Sequence, residues 1–229
     1  MIKKGLRFVK RFLSKPEGVT LNDVGPVSRS FGFERGTPID RYYIQKFLAI
    51  NKALVKGQVL EIAESKLSRQ YAVGDAEFHI LHVTNENVKA TIIGDLTKKE
   101  TLPPDKIDCF ICTQTYNFIY QVKEAIEGTH HLLKEGGCVL ATVAGISQIS
   151  QYDASRWGDY WRFTPMSIRL LFEETFGKSN VEITSYGNCL TAVSFLRGIA
   201  VEELKQSDLD VNDPDYPVII CIKATKSFS

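Results

Sequence analysis

The sequence predicts an α/β fold built on a seven-stranded, mostly parallel sheet with helices on both faces. Three observations predict it. From residue 58 onward, short apolar and β-branched runs alternate with stretches of helical periodicity, the pattern of repeated βαβ units. Glycine- and proline-bearing turns separate these runs. The 229 residues are enough for one sizeable core and short for two full domains.

The elements follow in order. Residues 1–37 are an N-terminal basic amphipathic segment and an irregular lead-in, and residues 38–229 are the α/β domain. Thr37-Pro38 is expected to open a helix, with Thr37 as N-cap and Pro38 in the first turn. It runs to about residue 55 and stops at Lys56-Gly57. Residues 58–62 read as a buried strand, 64–72 as helix-tolerant, 77–83 and 90–93 as the second and third strands, and 107–113 as the fourth. An amphipathic helix at 121–134 ends at Gly136-Gly137, followed by a fifth strand at 138–143. Thr164-Pro165 opens a helix that Gly177 stops. Residues 181–186 are the sixth strand, 189–205 a helix that covers the pocket or makes a dimer contact, and 217–224 the last strand. Such sheets bind ligands at the carboxyl ends of their strands.

Composition narrows the function classes. Hydrophobic residues make up 44% and charged residues 24%, and the net charge is +1. No global field or basic, aromatic-interleaved stripe selects nucleic acid. No apolar run reaches the roughly 18 residues of a membrane span. An odd number of dispersed cysteines suits a reduced, cytoplasmic compartment. Residues 1–15 hold six basic side chains and no acid, with Ile2, Leu6, Val9 and Leu13 on one helical face. That face either lies on an anionic membrane surface or docks on the protein's own core or a sister subunit.

The run Gly94-Asp95-Leu96, Leu102-Pro103 and Ile107-Asp108-Cys109-Phe110-Ile111-Cys112-Thr113-Gln114 precedes the helix. After it comes Leu132-Leu133-Lys134-Glu135-Gly136-Gly137-Cys138-Val139-Leu140-Ala141-Thr142-Val143. This resembles the central half of small-molecule class I S-adenosylmethionine (SAM) dependent methyltransferases, where "GD…LP…FD.I" is followed by "LLKPGG.LL.TV". Glu135 stands in place of the usual Pro, and the match covers roughly residues 57–145. The resemblance implies a Rossmann-like class I methyltransferase fold and SAM as cofactor. It makes Asp95 the contact to the adenine amino group and Leu96 a neighbour packing on the ring. Thr113 and Gln114 fall at the cofactor edge of the fourth strand.

Two departures stand out. The family's "EIG.G.G" loop reads Glu61-Ile62-Ala63-Glu64-Ser65-Lys66 here, so the acid is kept and the glycines are gone. The second strand ends His82-Val83-Thr84, without the acid that serves the ribose. Either the pocket has adapted, with Glu61, Ala63, Ser65, His82 or Asn85 at the cofactor, or the domain lacks SAM and serves as a glycan-binding or scaffold protein.

Residues 145–164 follow the fifth strand, over the expected acceptor mouth. Tyr152, Trp157, Tyr160 and Trp161 offer flat apolar faces, and Asp153, Arg156, Asp159 and Arg162 offer directional polar groups. That mixture suits a saccharide or a related small molecule. Equally, it suits an aromatic lid held in shape by Asp–Arg pairs. The Tyr160-Trp161-Arg162-Phe163-Thr164 run resembles bacterial methyltransferase-like proteins associated with surface polysaccharide and glycosyl transfer. Arg35 and Arg41 suit an anionic substrate group, with Tyr43 beside them. Transfer to oxygen calls for a general base, and Asp153, Asp159 and His82 are the candidates. Cys109-x-x-Cys112 lies within a strand, where positions three apart face opposite sides, so a metal site is not expected.

Overall fold

The computed structural model describes residues 24–228, so the basic segment at 1–15 lies outside the described residues. The helices are α1 (Ile39–Ile50), α2 (Lys66–Tyr71), α3 (Val122–Leu132), α4 (Gln151–Ala154), α5 (Pro165–Phe176), α6 (Cys189–Arg197) and α7 (Gln206–Asp210). The strands are β1 (Gly57–Ile62), β2 (Ala76–His82), β3 (Ile92–Ile93), β4 (Ile107–Thr113), β5 (Leu133–Ala144), β6 (Val181–Tyr186) and β7 (Ile219–Thr225). They form one sheet in the order β3-β2-β1-β4-β5-β7-β6. β7 runs antiparallel to both its neighbours, and the other pairings are parallel.

Strand alternation divides the core into two layers. Leu60, Phe110, Cys112, Val139 and Ala141 point to one face, where Ala125 and Ile126 of α3 and Phe172 of α5 cover them. Val59, Cys109, Ile111 and Leu140 point to the other, under Ile44 and Phe47 of α1, Leu67 of α2 and Phe195 of α6. Cys109 and Cys112 therefore face opposite sides, as the strand period requires. In α3 the buried positions Val122, Ala125, Ile126, Thr129 and Leu132 follow helical spacing. The Tyr116 hydroxyl reaches the Thr129 hydroxyl at 2.7 Å inside that layer.

Thr164 caps α5 reciprocally with Ser167, and Pro165 occupies its first turn, as expected. Three local expectations are corrected. Thr37 does not cap α1; its amide and hydroxyl both donate to Glu202, at 2.8 and 2.9 Å. The Glu135-Gly136-Gly137 run is not a helix stop, because α3 ends at Leu132 and β5 begins at once. It makes an irregular excursion inside the strand, so that Ile107 pairs with Leu133 while Cys109 pairs with Cys138. The helix expected at 189–205 ends at Arg197, where Gly198 adopts φ 73° and the lead-in packs against it.

Gly128 lets α3 lie directly on the loop after β3: a methyl there would run into the Leu96 carbonyl oxygen. Gly128→Ala, which in an open helix would add roughly 0.5–1 kcal/mol, is expected instead to cost about 1–3 kcal/mol. A lowered Tm in a thermal melt checks it.

Candidate functional site

Two clefts open side by side at the carboxyl ends of the strands. One, of about 540 Å³, lies over β1, β2, β3 and β4 and is lined by Glu61, Ala63, His82, Asp95 and Leu96. The other, of about 490 Å³, lies between the lead-in and the residues after β5 and is lined by Arg29, Asp40, Asn117, Ser147 and Asp159. Arg41, Thr113, Gln114, Phe118 and Asp153 line both and form their common wall.

The loop after β1 turns through a left-handed residue. Ala63 holds φ 61°, a left-handed backbone that costs a side chain but not glycine. The Asn87 amide donates to the Ala63 carbonyl at 2.8 Å. Glu61 is buried, and its carboxylate accepts from the Leu67 and Ser68 amides at 3.2 and 2.8 Å and from the Ser68 hydroxyl at 2.8 Å. It thus holds the first turn of α2. Burial pushes its carboxyl above the ordinary value, although the bonds from Ser68 and Leu67 oppose that. Asp95 spends one oxygen on the Thr97 amide and hydroxyl, at 2.9 and 2.8 Å, and lies part-exposed in the cleft. His82 Nδ1 lies 2.9 Å from the Thr84 carbonyl oxygen, and the ring meets Trp157 edge-on at 6.0 Å.

The common wall carries the second strained backbone: Gln114, directly after β4, holds φ 50°, with its amide donating to the Thr142 carbonyl at 2.8 Å. Asp153 sits in the first turn of α4 and accepts the Ser150 hydroxyl at 2.6 Å. Arg41 is half-buried, and its guanidinium makes no ion pair or hydrogen bond among the described residues.

In the second cleft, Asp159 and Arg162 form a two-pronged ion pair, at 2.6 and 3.0 Å. Arg162 also donates to the carbonyls of Ser147 and Gln148, and the Ser150 amide donates to Asp159. The pair ties the two ends of the 147–162 loop together, so Asp159 fixes the loop's shape and does not stand free as a base. Asp40 accepts from the Arg41 amide at 2.7 Å. Burial raises its carboxyl above the ordinary value, and the charge of Arg41 pulls the other way.

Several expected residues lie elsewhere. Arg35 is locked to Glu203 at 2.9 and 2.6 Å, outside both clefts. Tyr43 is core: it stacks on Tyr186 at 5.5 Å and donates to the Leu209 carbonyl at 3.0 Å. The Ser65 hydroxyl accepts from Arg69 at 3.0 Å, and Ser65 lines neither cleft. Arg156 stacks on Tyr152 at 3.6 Å, and only Tyr152 of the two lines the second cleft. Trp161 donates to the Ile119 carbonyl at 3.1 Å and stacks on Tyr120, outside both. Trp157 and Tyr160, expected on the acceptor side, line the first cleft instead. His79 bonds to Gln58 at 2.6 Å within the sheet, and the His130 ring packs on Phe176. Sequence reasoning missed Arg29, Asn117 and Ser147 and gave Asp40 no role; the only signal was position in loops at the carboxyl edge.

No protein-family model matches the chain, and no curated protein matches its sequence. Solved structures match its fold. A SAM-dependent methyltransferase from Archaeoglobus fulgidus aligns with a TM-score of 0.52 at 13% identity, over 81% of this chain and 94% of that one. Phosphoethanolamine N-methyltransferase 2 of Haemonchus contortus, solved with SAM, gives 0.50 at 12% identity, over 100% of this chain and 58% of that one. The 4+2 cyclase SpnF gives 0.52 at 13%, over 90% and 89%. The chain has the class I methyltransferase fold, which in SpnF belongs to a cyclase, so the fold alone does not name a reaction.

Two outcomes follow from the site. Ala63→Gly is expected to raise stability by roughly 0.5 kcal/mol, the part of the left-handed penalty that remains after glycine's entropy, whereas Ala63→Val lowers it; denaturant melts compare them. The Asp40 carboxyl is raised on folding, so its ionised form weakens the fold above the folded pKa, and that penalty fades as pH falls toward 3.8. Asp40→Asn should therefore raise Tm at pH 7, and the gain should vanish in acid.

Proposed function

We propose that the chain is a SAM-dependent methyltransferase that methylates an oxygen of a small polar acceptor, a saccharide or related metabolite. The observation that carries this reading is the pair of adjoining clefts with a common wall at Thr113, Gln114, Phe118 and Asp153. Both clefts are of a size that takes a small molecule.

The residues of the first cleft fit the cofactor. The second carboxylate oxygen of Asp95 can accept from an adenine amino group, with Leu96 and Ile62 as apolar walls. His82 stands where the family has an acid, and Nε2 can pair with a ribose hydroxyl. Ala63 keeps the loop path that glycine would give, at the cost of one methyl group. When bound, SAM supplies a methyl group activated by a sulfonium. Asp153 accepts the acceptor's hydroxyl proton through the carboxylate oxygen that Ser150 leaves open. Trp157 and Tyr160 shield the first cleft from water.

The absence of the loop glycines favours a second reading, a methyltransferase-like domain without cofactor that serves as a glycan-binding or scaffold protein. Calorimetric titration with S-adenosylhomocysteine separates the two. The enzyme reading predicts micromolar binding, weakened roughly tenfold or more in Asp95→Ala. No binding at millimolar cofactor would overturn the enzyme reading and favour the second.

A further inference from the structure

The acceptor-side cleft holds two features that the fold does not use. The first is Asn117, in the loop after β4. Its side chain is 2% exposed and lines the cleft. Its Oδ1 has no hydrogen-bond partner. The Asn117 backbone is fully employed, since its carbonyl accepts from the Tyr160 and Trp161 amides at 2.9 and 3.2 Å. The side chain adds nothing to that anchor. A buried amide left without a partner destabilises the protein that carries it. An apolar residue of the same size would serve the core better.

The second feature is Arg41. It is a half-buried cation at the wall between the clefts, and no carboxylate pairs with it among the described residues. Arg162, by contrast, is already neutralised by Asp159. Asp40 bonds to the Arg41 amide, not to its guanidinium. Arg29 also lines the cleft and is exposed. A planar fork of donors suits a group that bears negative charge, while the orphaned Asn117 Oδ1, an acceptor, suits a hydroxyl that donates to it.

We propose that the acceptor-side cleft binds an anionic acceptor, a phosphate- or carboxylate-bearing metabolite or sugar, whose charged group is held by Arg41 and Arg29 and one of whose hydroxyls donates to Asn117 Oδ1. This rests on the methyltransferase reading for what happens to the acceptor, but not for the binding itself. In the transfer, the acceptor oxygen forms its bond to the methyl carbon as the carbon–sulfur bond of the sulfonium breaks. The electron pair stays on sulfur, and the hydroxyl proton goes to Asp153. The anionic group is a handle and takes no part in that exchange.

The test uses the full chain with inorganic phosphate as a charge-only probe, titrated calorimetrically at constant ionic strength without cofactor. Saturable binding is expected in the wild type, weakened about tenfold or more in Arg41→Gln and largely restored in Arg41→Lys. Asp95→Ala should leave phosphate binding unchanged, which separates this site from the cofactor cleft. Asn117→Leu should raise the Tm of the ligand-free protein and weaken binding of hydrogen phosphate, whose P–OH group donates to Asn117 Oδ1, the opposite of a structural residue, whose loss lowers Tm. Each variant's Tm shows that it folds. S-adenosylhomocysteine, titrated in parallel, identifies the source of any anion that Arg41 holds. If Arg41→Gln weakens that ligand and leaves phosphate unchanged, Arg41 belongs to the cofactor and the proposal fails. It fails equally if wild-type phosphate binding does not saturate, or if Asn117→Leu lowers Tm and leaves binding intact.

Discussion

The site depends on one topological constraint: the connections leaving β1 and β4, neighbours in the sheet, go to opposite faces. After β1 the chain enters α2, whose Leu67 joins the layer under α1 and α6. After β4 it enters α3, which packs into the other layer with α5. Two loops that part company above adjacent parallel strands must leave a crevice between them. The backbone is strained where that divergence begins, at Ala63 beyond β1 and at Gln114 beyond β4, both with positive φ. Most other features of the carboxyl edge either brace this crevice or fill it. Glu61 braces it from below, because its buried carboxylate ties the end of β1 to the first turn of α2.

The long connection after β5 then divides the crevice in two. The Asp159–Arg162 pair closes the loop on itself, and the Asn117 carbonyl anchors it at Tyr160 and Trp161. Held in this way, the loop sends Trp157 and Tyr160 toward His82 and Asp95, and Asp153 toward the common wall. Trp157 and Tyr160 thus line the first cleft, Tyr152 and Asp159 the second, and Asp153 both. The first pair faces the side where the resemblance places a nucleoside. The free charge of Arg41 stands at the wall between the clefts, and the unpaired Asn117 Oδ1 lies on the side left for a second molecule.

Much of the fold was legible because it rests on local periodicity. The alternation in 107–113 gave both a strand and the opposite facing of Cys109 and Cys112. The Thr164-Pro165 cap and the Gly177 stop behaved as their residue types require. What failed depended on partners distant in sequence. Arg35 read as a substrate residue because Glu203, its partner, lies 168 positions away. Thr37 read as a cap because its competitor, Glu202, is equally remote. Tyr43 and Trp161 carry residue types that suit binding, but core stacking and a backbone carbonyl take them. Asn117 gave no signal, since an orphaned amide becomes visible only when the packing around it is known.

The central claim is that the cleft beyond β1, β2 and β3 binds the cofactor through a loop that has kept its path without its glycines. Hydrogen–deuterium exchange of the full chain, with and without saturating S-adenosylhomocysteine, tests this most directly. The account predicts slowed exchange in peptides covering residues 61–67, 94–97 and 113–121, with the 24–36 lead-in unaffected. Unchanged exchange in those three segments, whatever happens elsewhere, would contradict it.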